Sequence, residues 1–150
     1  MAVTTLVRGR AADLLSSGDA AAVARRLRQA LRQLDRTRST ASLVFTDDEE
    51  IRRLNRDYRR HDRATDVLSF HLQPLAGETD PAGRGIELGD IVISVETARR
   101  RAAGRRLRAE LERLAVHGLC HLFGHDHKRP GEARRMVALE RRLLRASVRL

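Results

Sequence analysis

Residues 117 to 127 read His-Gly-Leu-Cys-His-Leu-Phe-Gly-His-Asp-His, so four of the six histidines fall in one short run. This run constrains the fold more than any other feature of the chain. Leu107, Leu111, Leu114, Gly118 and Leu122 recur at helical spacing and predict a helix over about 106–123, which Gly124 is placed to end. His117 and His121 stand at i and i+4, so they share one face a turn apart. Gly124 tolerates positive φ, so the chain can turn sharply and bring His127 back as a third nitrogen. Three nitrogen ligands and an open fourth position form the pattern of a catalytic zinc site. A metal held there lowers the pKa of its bound water and polarises a phosphoryl or carbonyl oxygen. One Zn2+ per chain is the expected cofactor.

The rest of the sequence alternates short apolar runs with amphipathic stretches. Residues 2–7, 41–45, 66–70 and 88–93 read as strands, the last apolar enough to be central. A helix over about 19–36 is predicted from Val23, Leu27, Ala30, Leu31 and Leu34, with Ser17 or Asp19 as its cap. Thr46 and Glu49 read as a capping box ahead of a second helix carrying Ile51, Leu54 and Tyr58. Ser94 caps a short helix to about 103, and a last helix spans about 131–146. Two of the three prolines lie in 73–85, which reads as a loop between strands. The expected fold is α/β (α+β): one domain over 1–150, with a mixed central sheet of about four strands, surrounding helices and a zincin-like metal helix.

Composition narrows the class. Hydrophobic residues make up 41% of the chain, too many for a disordered chain of low hydrophobicity, and aromatic residues only 3%, so the core is aliphatic. A single cysteine excludes an internal disulfide framework and points to a reducing, cytoplasmic setting. No run of about 18 apolar residues exists to span a membrane, and the N-terminus does not read as a signal peptide. The formal net charge is +10, from 30 basic and 20 acidic residues. All basic residues but Lys128 are arginine, whose planar fork binds phosphate bidentately. The surplus concentrates in 99–113 and 128–150, beside the histidine helix, and suggests a surface for an RNA backbone.

The histidine spacing matches the H-x-x-x-H-x-x-G-x-x-H part of the metzincin protease signature. Gly118 stands where those proteases carry their glutamate base, which argues against peptide hydrolysis. The run resembles more closely the H-G-x-L-H-L-x-G-x-D-H signature of the YbeY family of metal-dependent endoribonucleases. Two further blocks agree with that family. Leu54-Asn55, Tyr58-Arg59, Asp62 and Thr65-Asp66-Val67-Leu68-Ser69-Phe70 match its L-N-x-x-Y-R-x-x-D-x-x-T-D-V-L-S-F. Leu88-Gly89-Asp90-Ile91 with Ile93-Ser94 matches its L-G-D-I-x-I-S. Departures are Cys120 for leucine, His125 where tyrosine is common and His71 where proline is common.

The resemblance implies a single-strand-specific endoribonuclease in ribosome biogenesis, maturing the 3′ end of small-subunit ribosomal RNA and serving ribosome quality control. Its partners are RNA and the ribosome or ribosomal proteins, with no membrane and no DNA. His117, His121 and His127 carry over as zinc ligands. Arg59 carries over as the arginine of the Y-R motif, able to hold the scissile phosphate, with Arg60 beside it as a second substrate contact. Its alternative is a salt bridge to Asp57 or Asp62. Asp126 either orients a ligand imidazole or acts as the base. Cys120 and Met136 read as core residues, His61 and His71 as local hydrogen-bonders, and Thr65, Asp66 and Asp90 as structural. A metalloprotease, and a non-catalytic assembly factor with a structural metal, stand as alternatives.

Overall fold

A computed structural model describes residues 2–72, 85, 87–103, 106–124 and 129–145. The elements run β1 (Ala2–Val7), α1 (Ala11–Leu14), α2 (Ser17–Gln33), β2 (Thr40–Thr46), α3 (Asp48–Arg59), β3 (Val67–His71), β4 (Glu87–Ser94), α4 (Val95–Ala102), α5 (Leu107–Leu122) and α6 (Pro130–Arg145). The sheet order is β1-β2-β4-β3, with β1, β2 and β4 parallel and β3 antiparallel on β4. The architecture is thus the expected α+β mixed sheet of four strands, and the apolar β4 is interior.

Strand alternation divides the core into two layers. Leu43, Phe45, Ile91 and Ile93 face one side, where they pack with Val23, Leu27 and Leu31 of α2, Leu111, Leu114 and Leu119 of α5, and Met136 and Leu143 of α6. Val44, Leu68 and Val92 face the other side, against Ile51 of α3. Each fully buried aliphatic side chain contributes about 1.5–3 kcal/mol, so the larger layer is the chief source of stability. It also fixes α5, the histidine helix, on the sheet.

Several helix starts differ from the sequence reading. The cap of α2 is Ser16, whose Oγ accepts from the Asp19 N–H, rather than Ser17 or Asp19. The cap of α3 is Asp47, whose carboxylate accepts from Glu50 N–H at 3.0 Å. Thr46 is the last residue of β2, and its hydroxyl donates to Glu50. The short α1 has no counterpart in the sequence pattern, because four residues carry too little periodicity to register. Ser94 does cap α4, accepting from the Thr97 N–H. Among the described residues no helix is long and apolar enough to cross a membrane.

Candidate metal centre and nucleic-acid interface

The site begins with how closely α5 lies on the sheet. A Cβ at Gly118 would stand 2.7 Å from Ile91 Cγ2 and 3.0 Å from Ser69 Oγ, so this turn of the helix admits only glycine without displacement. The Ser69 hydroxyl donates to the Gly118 carbonyl at 3.0 Å, and His71 Nε2 donates to the His121 carbonyl at 2.8 Å. Two alternate residues of β3 therefore pin successive turns of α5. The helix ends where Gly124, at φ +86°, donates its N–H to the His121 carbonyl. A protease-type glutamate at position 118 has no space here, which deepens the objection drawn from the sequence.

His117 and His121 turn their rings toward each other. Their Nε2 atoms lie 3.2 Å apart, with the rings at 80°. His117 Nδ1 donates to the Glu140 carboxylate of α6 at 2.6 Å. This bond fixes the tautomer and leaves the Nε2 lone pair facing His121. Two imidazole nitrogens on one tetrahedral zinc, at 2.0–2.1 Å each, stand about 3.3 Å apart. The observed spacing and the paired nitrogens fit that donor geometry. Glu140 escaped the sequence reading. Its signal is weak in one dimension, one of two glutamates in an arginine-rich helix, and only the packing of α6 on α5 brings it to His117.

Cys120 is buried in the core, as expected. Burial pushes its thiol up to about 12, with the nearby Glu140 charge adding to the effect, so it stays protonated and is a poor ligand. Met136 is likewise core. Asp66 is structural: its carboxylate accepts from the Val67 N–H at 2.8 Å and pairs with Arg101. His127, Asp126 and His125 lie outside the described residues, as does most of the 73–85 loop.

Arg59 donates Nη2 to the Ser69 carbonyl at 2.9 Å. The alternative of a helix-end ion pair gives way, because Asp62 is held by Arg52 and Asp57 by Arg56. Arg60 is exposed and holds the left-handed conformation at φ +59°. Ser69 thus joins Arg59, through its carbonyl, to the histidine helix, through its hydroxyl. The basic surplus of 99–113 is less concentrated in space than in sequence. Arg100 pairs with Asp48, Arg101 with Asp66 and Arg108 with Asp19, carboxylates that lie outside both basic segments.

The family model described as endoribonuclease YbeY matches residues 14–147. Relatives carrying that name include the protein of Anaeromyxobacter dehalogenans, 47% identical over 134 residues, covering 85% of this chain and 66% of that one. The protein of Myxococcus xanthus is 52% identical over 114 residues, covering 75% and 38%. The chain spans less than two thirds of the length of these curated relatives. The solution structure of TM1509 from Thermotoga maritima has the same fold, with a TM-score of 0.64 at 22% identity over 96% of this chain and 87% of that one.

Proposed function

This chain belongs to the YbeY family, and on that premise we propose that it is a zinc-dependent, single-strand-specific endoribonuclease. The observation that carries the reading is the His117–His121 pair, with Nε2 atoms 3.2 Å apart and His117 fixed by Glu140. His117 and His121 would hold the metal, with His127 as the third ligand expected from the spacing. When bound, zinc supplies Lewis-acid polarisation of a phosphoryl oxygen and of an attacking water.

The chain's own residues supply the rest. Glu140 keeps His117 in the tautomer that presents Nε2. Arg59, anchored on the Ser69 carbonyl, holds its positive charge at the edge of β3, where it offsets charge developing on the scissile phosphate. Arg60 offers a second phosphate contact. Asp126 orients a ligand imidazole or accepts the water's proton. The substrate that fits the family is small-subunit ribosomal RNA at its 3′ end, in the cytoplasm and in contact with the ribosome.

The test compares purified wild type with His121→Ala on single-stranded RNA, with and without a chelator, alongside measured zinc content. Loss of cleavage in the variant and with the chelator is expected. Equal cleavage by both proteins sinks the metal mechanism. A His121→Ala protein that still serves ribosome assembly in cells favours the non-catalytic assembly role.

A further inference from the structure

We propose that Tyr58 and Phe70 form a stacking platform for one unpaired nucleobase of the substrate, beside Arg59 on β3, the outermost strand of the described sheet. The proposal rests on the nuclease reading above and adds a base subsite to it.

α3 buries Ile51 completely against the sheet. Tyr58 lies two turns further on the same side of the helix. There the helix reaches β3, the edge strand. The Tyr58 ring meets Phe70 edge-to-face, with centroids 5.4 Å apart at 70°, and remains 70% exposed. Of the other aromatics, Phe45 is fully buried and Phe123 is partly buried against the larger core. Tyr58 is thus the broad aromatic surface left to solvent. A ring held by an edge-to-face neighbour has given up orientational freedom before anything docks, so stacking on it costs less entropy.

The surroundings select a nucleotide over a plain apolar partner. The guanidinium of Arg59 is anchored on Ser69, and Arg60 is exposed next to it. Two cations beside one exposed ring suit a phosphate on each side of a stacked base. Strand alternation sets the direction. Ser69 and His71 reach α5, while Phe70 between them faces the α3 side. A single strand crossing the β3 edge meets the aromatic platform on one face of the sheet and the histidine helix on the other. Stacking needs only a π-face, so it accepts any base, with purines favoured by their larger area.

The chain has one tyrosine and no tryptophan, so its tyrosine emission reports on Tyr58 alone. Stopped-flow mixing of wild-type protein with a short single-stranded RNA reads docking before cleavage. An abasic strand of equal length and charge is the comparison, and a free tyrosine amide corrects for absorbance by the bases. Quenching by the base-bearing strand but not by the abasic strand is expected. An equal response to both, or none to either, overturns the platform. In turnover, Tyr58→Ala is expected to raise KM at least about fivefold with kcat little changed, and Tyr58→Phe to restore it. Melting curves of both variants separate this from loss of fold. An unchanged KM in a folded Tyr58→Ala protein overturns the platform and leaves the nuclease reading standing. If wild type cleaves no RNA, the nuclease reading fails, and the emission titration still decides whether a base docks on Tyr58.

Discussion

Glu140 is 23 positions from His117 in sequence, yet its carboxylate sets which nitrogen of that ring faces the candidate metal. Partners of this kind typically carry a 10- to 100-fold effect on metal affinity. Glu140→Ala is therefore expected to weaken zinc binding by roughly that factor, read by competition with a chromophoric chelator. An affinity equal to wild type would show that the carboxylate does not orient His117. The pairing of His117 with His121 was legible from their spacing, since i and i+4 share a helix face whatever surrounds them. Glu140 was not legible, because nothing local distinguishes it from other acidic residues on a solvated helix. Arg59 was legible as a candidate, but its anchor is a backbone carbonyl of another element, for which side-chain identity gives no signal.

At the scale of elements, the approach of α5 to β3 and β4 decides the site's shape. Gly118→Ala drives a methyl to 2.7 Å from Ile91 Cγ2, which cannot yield without moving the core. The expected cost is about 1–3 kcal/mol, measured by urea unfolding. Stability equal to wild type would mean that α5 lies further from the sheet. A second junction joins the starts of α3 and α4. Asp47 caps α3 and also accepts from the Arg10 N–H at 2.9 Å. Burial pushes its pKa up, but the two backbone donors together with the charges of Arg10 and Arg53 outweigh this and hold it below the usual carboxylate range. Asp48 behaves alike: burial raises it, and the Ser94 and Thr97 hydroxyls with Arg100 pull it lower overall. Glu96 is lowered chiefly by its hydrogen bond from Arg10. Depressed carboxylates stabilise the fold above their unfolded pKa and lose that contribution as pH falls through the folded one. Unfolding free energy is therefore expected to hold from neutrality to about pH 5 and fall below about pH 4. In Asp47→Ala, where one contributor is gone, the acid loss should be shallower and the neutral stability lower by about 1 kcal/mol. A variant with the wild-type acid profile would show that Asp47 is not among the groups responsible.

Across the whole molecule, the question is which arginines of a +10 chain are available to a polyanion. Arg108 is held by Asp19 at 2.9 Å, whereas Arg59 is anchored on a neutral carbonyl and pairs with no carboxylate among the described residues. Binding of single-stranded RNA should weaken linearly in a log–log plot against salt, each phosphate contact adding about 0.7 to the slope. Arg59→Ala is expected to reduce the slope by about that amount and Arg108→Ala to leave it unchanged. Equal slopes for all three proteins would remove Arg59 from the interface. Sequence by itself determined the order and kind of the main elements, the interior place of β4, and the i, i+4 histidines with the glycine that ends their helix. These follow from periodicity and backbone sterics, which act over a few residues. The tertiary structure decided what local rules do not reach: Glu140 on His117, Gly118 against Ile91, Arg59 on Ser69, Tyr58 on Phe70, and carboxylates paired with three arginines of 99–113. Each of these joins residues of different elements, and only the packing of one element on another brings them within contact distance.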